Sequence, residues 1–122
     1  MPRSRGLGRE RRIRKRGEFL RLYRLGRKVG TRSLVVYALK AGAARPRLGV
    51  TVSSKVGGAV VRNRAKRLIR EAYRHCSLIR DSELDLIINA RPAIVRATYK
   101  QLCEELAKAT QRLLTTPAGP HR

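Results

Sequence analysis

Acidic residues are scarce in this sequence: eight Asp and Glu stand against thirty Lys and Arg, a formal net charge of +22 over 122 residues. A nuclease working through its own side chains needs paired carboxylates for metals, or a His set against an acid. Only two tight acid groups occur, Asp81/Glu83/Asp85 and Glu104/Glu105. The first falls in an expected loop leading into a strand, where acids commonly just face water. The second falls on an expected helix among Lys and Arg, where local ion pairing is the ordinary role. His75 and His121 show no evident partner in the sequence. The stretch SSKVGGA, Ser53 to Ala59, lacks the GKS or GKT ending of a phosphate-binding P-loop. No catalytic residue and no protein-borne metal site is expected.

Other absences narrow the class further. The two cysteines, Cys76 and Cys103, have no metal-ligand or disulfide-framework spacing. They read as packing residues in a reduced, cytoplasmic setting. No apolar run approaches the roughly 18 residues of a membrane span, and the N-terminus has no apolar signal core. Residues 3–16 are Arg-rich but show no clean amphipathic stripe of the kind a transit peptide carries. Neither a membrane nor a small-molecule substrate is an expected partner.

What is present is positive charge. An excess on this scale repels itself in the compact state, so a large anionic partner is the natural counterpart. Nucleic acid is the first candidate, because neutralised phosphates release counterions and drive association. With 42% hydrophobic residues the chain can still build one modest core. We expect a basic arm over residues 1–16, a single domain over 17–114 and a flexible tail over 115–122.

Along the chain, Phe19, Leu22 and Tyr23 fall at i, i+3 and i+4 and predict a short helix from Glu18 to Leu25, with Gly26 as its C-terminal cap. Ser33 to Lys40 and Arg47 to Ser53 read as strands and, with turn residues Gly42 to Pro46 between them, as an antiparallel pair. Leu84 to Ala90 reads as a further strand. Thr98 and Gln101 have capping-box spacing ahead of a helix running to about Leu114. An α+β two-layer sandwich follows, with helices on one face of a sheet and a helical crossover between parallel strands.

The segment from Ala59 to His75 carries the strongest functional signal. At about 100° per residue, Val61, Ala65, Leu68, Ile69, Ala72 and Cys76 gather on one stripe. Asn63, Lys66, Arg67, Arg70 and Arg74 point away from it, with Arg62 and Arg64 on the flanks. Six cations and one acid, Glu71, lie between Arg62 and Arg74. Charge runs are usually just solvated, but this one is single-signed, confined to one helix side and backed by a second basic segment. Guanidinium forks match phosphate oxygens, and Asn63 can bond a base edge or ribose. Aromatics are few, four Tyr and one Phe. Phe19 and Tyr23 stand one turn apart and suit either base stacking or the core; spacing alone favours the core.

Thr51 to Arg74, TVSSKVGGAVVRNRAKRLIREAYR, resembles the signature region of the bacterial ribonuclease P protein family. The Arg-Asn-Arg motif is Arg62, Asn63 and Arg64, continued by Lys66, Arg67 and Arg70 and preceded by Lys55 and Gly57. Weaker likenesses extend it over about residues 9 to 114. The resemblance implies an αβββαβα order with a mixed four-stranded sheet, a left-handed β-α-β crossover and an extra strand near Lys28 to Gly30. It implies endonucleolytic removal of the 5′ leader from precursor tRNA, with the active site and its Mg²⁺ ions carried by the RNA subunit. Lys55, Arg62, Asn63, Arg64, Lys66, Arg67, Arg70 and Arg74 would then hold the catalytic RNA. Phe19, Tyr23, Val35 and Tyr37 would line a cleft for the leader, against the core assignment of the aromatics. General RNA-binding proteins of the same class, metal-dependent nucleases and DNA-binding proteins are the rival readings. Duplex-DNA competition, or triple neutralisation of Asp81, Glu83 and Asp85, separates them.

Overall fold

A computed structural model describes residues 12, 13, 15–41 and 46–115. In chain order they form α1 (Arg16–Leu25), β1 (Arg27–Gly30), β2 (Leu34–Lys40), β3 (Leu48–Thr51), α2 (Ala59–Arg74), a single-turn α3 (Ser77–Arg80), β4 (Leu84–Ala90), a 3-10 turn (Pro92–Arg96) and α4 (Tyr99–Thr115). Most of the expected arm, the turn at 42–45 and the tail from 116 lie outside the described residues. The class is α+β, and the short β1 stands where the family resemblance placed an extra strand.

The sheet runs β1-β2-β4-β3. β2 and β4 are antiparallel from Leu34↔Ala90 to Lys40↔Leu84. β3 lies parallel to β4 from Leu48↔Leu86 to Thr51↔Asn89, so α2 sits in a crossover between parallel neighbours. The antiparallel β2–β3 pair expected from sequence does not form, because β4 lies between the two. The reason is in β4 itself. Leu84 to Ile88 are five consecutive buried residues, and such a strand needs both faces covered and both edges bonded. A β2–β3 hairpin would have left it at an edge.

Alternation along the strands divides the core in two. Leu34, Val36, Ala38, Leu48, Leu84, Leu86 and Ile88 face α2 and α4, meeting Ala65, Ile69, Ala72, Leu102, Leu106 and Leu113. On the other face Ile87 packs with Leu22 and Ile13, edged by Phe19, Tyr23, Tyr37 and Leu39. Helices were expected on one face only; α1 occupies the second, since its own apolar residues have the underside of β4 to cover. Ile13 is also drawn in. Its backbone N–H donates to Leu48 O at 3.0 Å, and Arg12 bridges Leu48 in parallel, so this part of the expected arm lies along the outer edge of β3.

Local signals resolve in specific ways. The capping box closes as expected: the Thr98 N–H donates to Gln101 Oε1 at 2.9 Å, and the Gln101 N–H to Thr98 Oγ1 at 3.1 Å. Gly26 caps α1, donating to Leu22 O, though its backbone is extended (φ −79°, ψ 161°). Close approach explains the glycine: a Cβ would stand 2.6 Å from Leu22 O and 2.8 Å from Ala38 O.

The acid groups find different partners from those expected. Asp85 lies within β4, buried, accepting the Arg47 N–H at 2.8 Å and facing its guanidinium at 3.4 Å. Arg47 also reaches Glu18 of α1 at 2.9 Å. Glu105 makes no ion pair among the described residues; it accepts from Thr31 Oγ1 (2.6 Å), the Ser33 N–H (2.8 Å) and Ser33 Oγ (3.0 Å), tying α4 to the β1–β2 turn. His75, without evident partner in sequence, has Nδ1 2.9 Å from the Tyr99 hydroxyl. Burial first, then the hydrogen bond to Cys103, pushes the Tyr99 phenol up to about 12.

Two outcomes follow for stability. Gly26→Ala must displace backbone on both sides and should lower unfolding free energy by about 1–3 kcal/mol, read from urea denaturation. The Arg47 hydrogen bond holds the Glu18 carboxyl below its ordinary value. Its contribution is therefore present above the unfolded carboxyl range and lost as pH falls through the lowered folded value. Glu18→Gln should flatten that part of the acid limb only slightly, since Glu18 is 36% exposed and solvent screens the pair. Urea midpoints taken above and below about pH 4 test this.

Candidate nucleic-acid interface

Two surfaces carry the candidate residues, one on each side of the sheet. The first is α2. Ala65, Ile69, Ala72 and Tyr73 turn into the core, with Leu68 and Cys76 partly buried beside them. Val61, expected on the packed stripe, is 38% exposed because the stripe swings away from the core at the first turn. Asn63, Arg64 and Arg67 are exposed, whereas Arg62, Lys66 and Arg70 form a half-buried row at i, i+4 and i+8. Lys55 is exposed in the turn before the helix. None of these cations makes an ion pair among the described residues. Arg74 does: its guanidinium lies 2.7 Å from Glu71.

The half-buried row is electrostatically uncomfortable. Burial, then the nearby charge of Arg12, lowers the pKa of Arg70. The Arg62 Nε is buried without a hydrogen-bond partner among the described residues. Cations brought together and only partly solvated are stabilised by whatever anion can approach them. Because Arg12 runs along β3, this charge reaches past the helix to the sheet edge.

The second surface lies between α1 and the other face of the sheet. The structure brings Phe19, Tyr23 and Tyr37 together. The Tyr23 and Tyr37 rings meet edge to face at 4.7 Å, and Phe19 and Tyr23 are 6.3 Å apart. All three are half-buried, so the choice between core and surface resolves as both: each ring packs with one part and stays open with another. Val35 is one step along β2 on the same face, paired with Gly30 and Asn89. Phe19 lies over Gly49, where a Cβ would come within 2.8 Å of its ring.

Three residues that the sequence analysis does not single out, Asn89, Thr51 and Lys28, also lie on this face. Asn89 accepts from the Tyr23 hydroxyl at 3.1 Å and from the Thr51 hydroxyl. The Lys28 ammonium stands 5.7 Å over the Tyr37 ring. The available signal was the period of two in LDLIINA, which puts Asp85, Ile87 and Asn89 on one side. The result is one face of the sheet on which three half-buried rings, the Asn89–Thr51 pair and the Lys28 ammonium stand together.

The described residues contain no group of three or more His, Cys, Asp and Glu able to hold a metal ion. No described helix is long and apolar enough to cross a membrane.

The family model for ribonuclease P matches residues 7–114. The chain belongs to the ribonuclease P protein family. It is 45% identical over 94 residues to the ribonuclease P protein component of Clostridium novyi, covering 75% of this chain and 82% of that one. To the corresponding protein of Brevibacillus brevis it is 35% identical over 113 residues, covering 92% and 90%. The solved structure of the Staphylococcus aureus RNase P protein superposes with a TM-score of 0.73 at 37% identity, over 83% of this chain and 93% of that one. Membership implies a role in tRNA processing, as the protein component of an RNA-dependent endoribonuclease.

The glycine beneath Phe19 offers a direct test of how that ring is held. Gly49→Ala should push the ring off β3 and cost about 1–3 kcal/mol. Displaced Phe19 and Tyr23 ring resonances by NMR would report the same movement.

Proposed function

We propose that the chain binds the catalytic RNA of ribonuclease P through α2 and takes the 5′ leader of precursor tRNA into the cleft between α1 and the sheet. It thereby assists removal of the leader to give the mature tRNA 5′ end. The observation that carries this reading is the cationic side of α2. Lys55, Arg62, Arg64, Lys66, Arg67 and Arg70 have no acid in ion-pair contact among the described residues, and Asn63 lies exposed among them. Arg74 is the weakest member, being shared with Glu71.

The aromatic cleft supports the second half. A leader is unpaired, so its bases offer faces for Phe19, Tyr23 and Tyr37 to stack on, while Val35 adds an apolar step. Lys28 and the Asn89–Thr51 pair can meet backbone or base edges without demanding one sequence. Hydrolysis itself is assigned to the RNA. Mg²⁺, which that RNA would hold, supplies charge neutralisation and an activated water. The protein's part is to bind both RNA strands and to screen their mutual repulsion.

Reconstitution tests the proposal. Added to a bacterial ribonuclease P RNA, the protein should strongly stimulate leader removal at low, near-physiological Mg²⁺. Changing Arg62, Arg64 and Arg67 to Ala should abolish the stimulation, and each lost contact should reduce the salt dependence of binding by about one unit of log–log slope. Cleavage by the protein without RNA, or no stimulation at any Mg²⁺ concentration, would overturn it.

A further inference from the structure

Beyond its first turn the described surface of α2 is cationic apart from Asn63 and Glu71. In that first turn Val60 is 82% exposed and Val61 38%, and Val95 in the 3-10 turn opposite is 51% exposed. Single exposed leucines such as Leu20 and Leu114 are ordinary. Aliphatic side chains gathered around one groove are not. The groove has a volume of about 180 Å³ and runs between the first half of α2 and the 3-10 turn. Val60, Val61, Leu68, Ile94 and Val95 line it, and Arg64 is the only charged residue on its wall.

Local structure holds the groove open. Gly57 passes so close to Val61 that a Cβ would stand 2.9 Å from its Cγ1, which fixes that side chain from behind. Ile94 is buried and anchors the 3-10 turn, whose Ile94 N–H donates to Arg91 O at 2.9 Å. Val60 gains nothing from the free fold. A β-branched residue at an exposed helical position has poorer propensity than Ala, Lys or Glu, and it leaves apolar surface in water. Its place makes physical sense if something apolar covers it in the functional state.

Size and charge identify the occupant. The volume falls below the ~300–1,000 Å³ of pockets for drug-sized ligands, and it admits one flat ring system more readily than a helix or strand of a partner protein. The rim belongs to the cationic side of α2, with Asn63, Arg64 and Arg67 exposed beside it. A strand brought there by its phosphates arrives carrying bases. An unstacked base has apolar faces and a polar edge, matching an aliphatic slot with one guanidinium on its wall. We propose that this groove receives a single unstacked nucleobase of the RNA that α2 holds. The proposal rests on the reading that α2 binds RNA, and adds to it an anchoring contact that does not depend on charge.

Its test uses the full chain and ribonuclease P RNA. Val60→Thr and Val95→Thr keep shape and charge while making the slot polar; circular dichroism melting confirms that the variants fold. The double variant should bind the RNA about tenfold more weakly, in keeping with the loss of one base contact. The slope of log affinity against log salt should not change, because no phosphate contact is lost. In methyl-labelled wild-type protein, the Val60 and Val95 methyl resonances should move upfield when RNA is added, as a ring seated over them requires. Arg67→Ala is the control, weakening binding and lowering the slope by about one. Wild-type affinity in the double variant without methyl ring-current shifts would overturn the base slot while the control kept the α2 reading intact. An affinity loss accompanied by a reduced slope would overturn it as well. An unaffected Arg67→Ala would instead remove the reading on which the proposal rests.

Discussion

Every layer of this fold is fastened to β4. It is bonded along both edges, to β2 antiparallel and to β3 parallel. One side of it, Leu84, Leu86 and Ile88, supplies the floor on which α2 and α4 pack. The other presents Asp85, Ile87 and Asn89, and each of these holds something different. Asp85 pins Arg47 and, through it, Glu18 at the start of α1. Ile87 fills the space under Leu22. Asn89 takes hydrogen bonds from Tyr23 of α1 and Thr51 of β3. A single strand thus underlies the basic helix on one side and holds α1 and its aromatic residues on the other. A buried polar group holds a geometry firmly when its bonds are satisfied, and the buried Asp85 carboxylate takes both the Arg47 N–H and its guanidinium.

The distribution of charge follows from the same layering. With thirty basic residues and eight acidic ones, the few carboxylates matter by position rather than number. Asp85, Glu18 and Glu105 are spent on tertiary bonds, joining α1 to the sheet and α4 to the β1–β2 turn. Glu71 takes Arg74. Little negative charge is left to neutralise the row at Arg62, Lys66 and Arg70, where burial and Arg12 already work against the guanidinium of Arg70. The free fold therefore carries like charge in a half-buried row beside the exposed Arg64 and Arg67. Salt would relieve part of that repulsion and a bound phosphate backbone more of it, since an anion in contact acts where the screening cloud is thinnest.

Much of this was legible in the residues because it is local. The stripe Ala65, Leu68, Ile69, Ala72 is a matter of helical spacing, and the Thr98–Gln101 box is a matter of three residues. What escaped was non-local. Periodicity identifies β2, β3 and β4 as strands but says nothing of which lies between which; the insertion of β4 follows from its burial on both faces, a property of the assembled sheet. Glu105 looked like a surface helix acid because its partners, Thr31 and Ser33, are more than seventy residues away. Gly26 is legible as a C-terminal cap from its position, but the close approach of Ala38 O that excludes a Cβ there is not. The Arg-Asn-Arg segment was readable as a motif, yet which of its cations stand free and which lie half-buried depends on packing against β3 and α4. The contacts of Lys28, Thr51 and Asn89 beside the aromatic rings depend likewise on register across the sheet.

The aromatic residues show why a choice between core and surface can be falsely posed. Tyr23 touches the second core with its ring, donates its hydroxyl to Asn89 and still stands partly open. Tyr37 packs edge to face against it and keeps a side toward Lys28. A ring fixed by packing on one side has already lost the rotamer freedom that base stacking would otherwise cost it. The second core is small, with Ile13, Leu22 and Ile87 its only buried members among the described residues, so it cannot hide these rings completely. The modest size of that core is thus what keeps a rigid aromatic surface exposed. A larger α1 contact would stabilise the domain further and bury the rings.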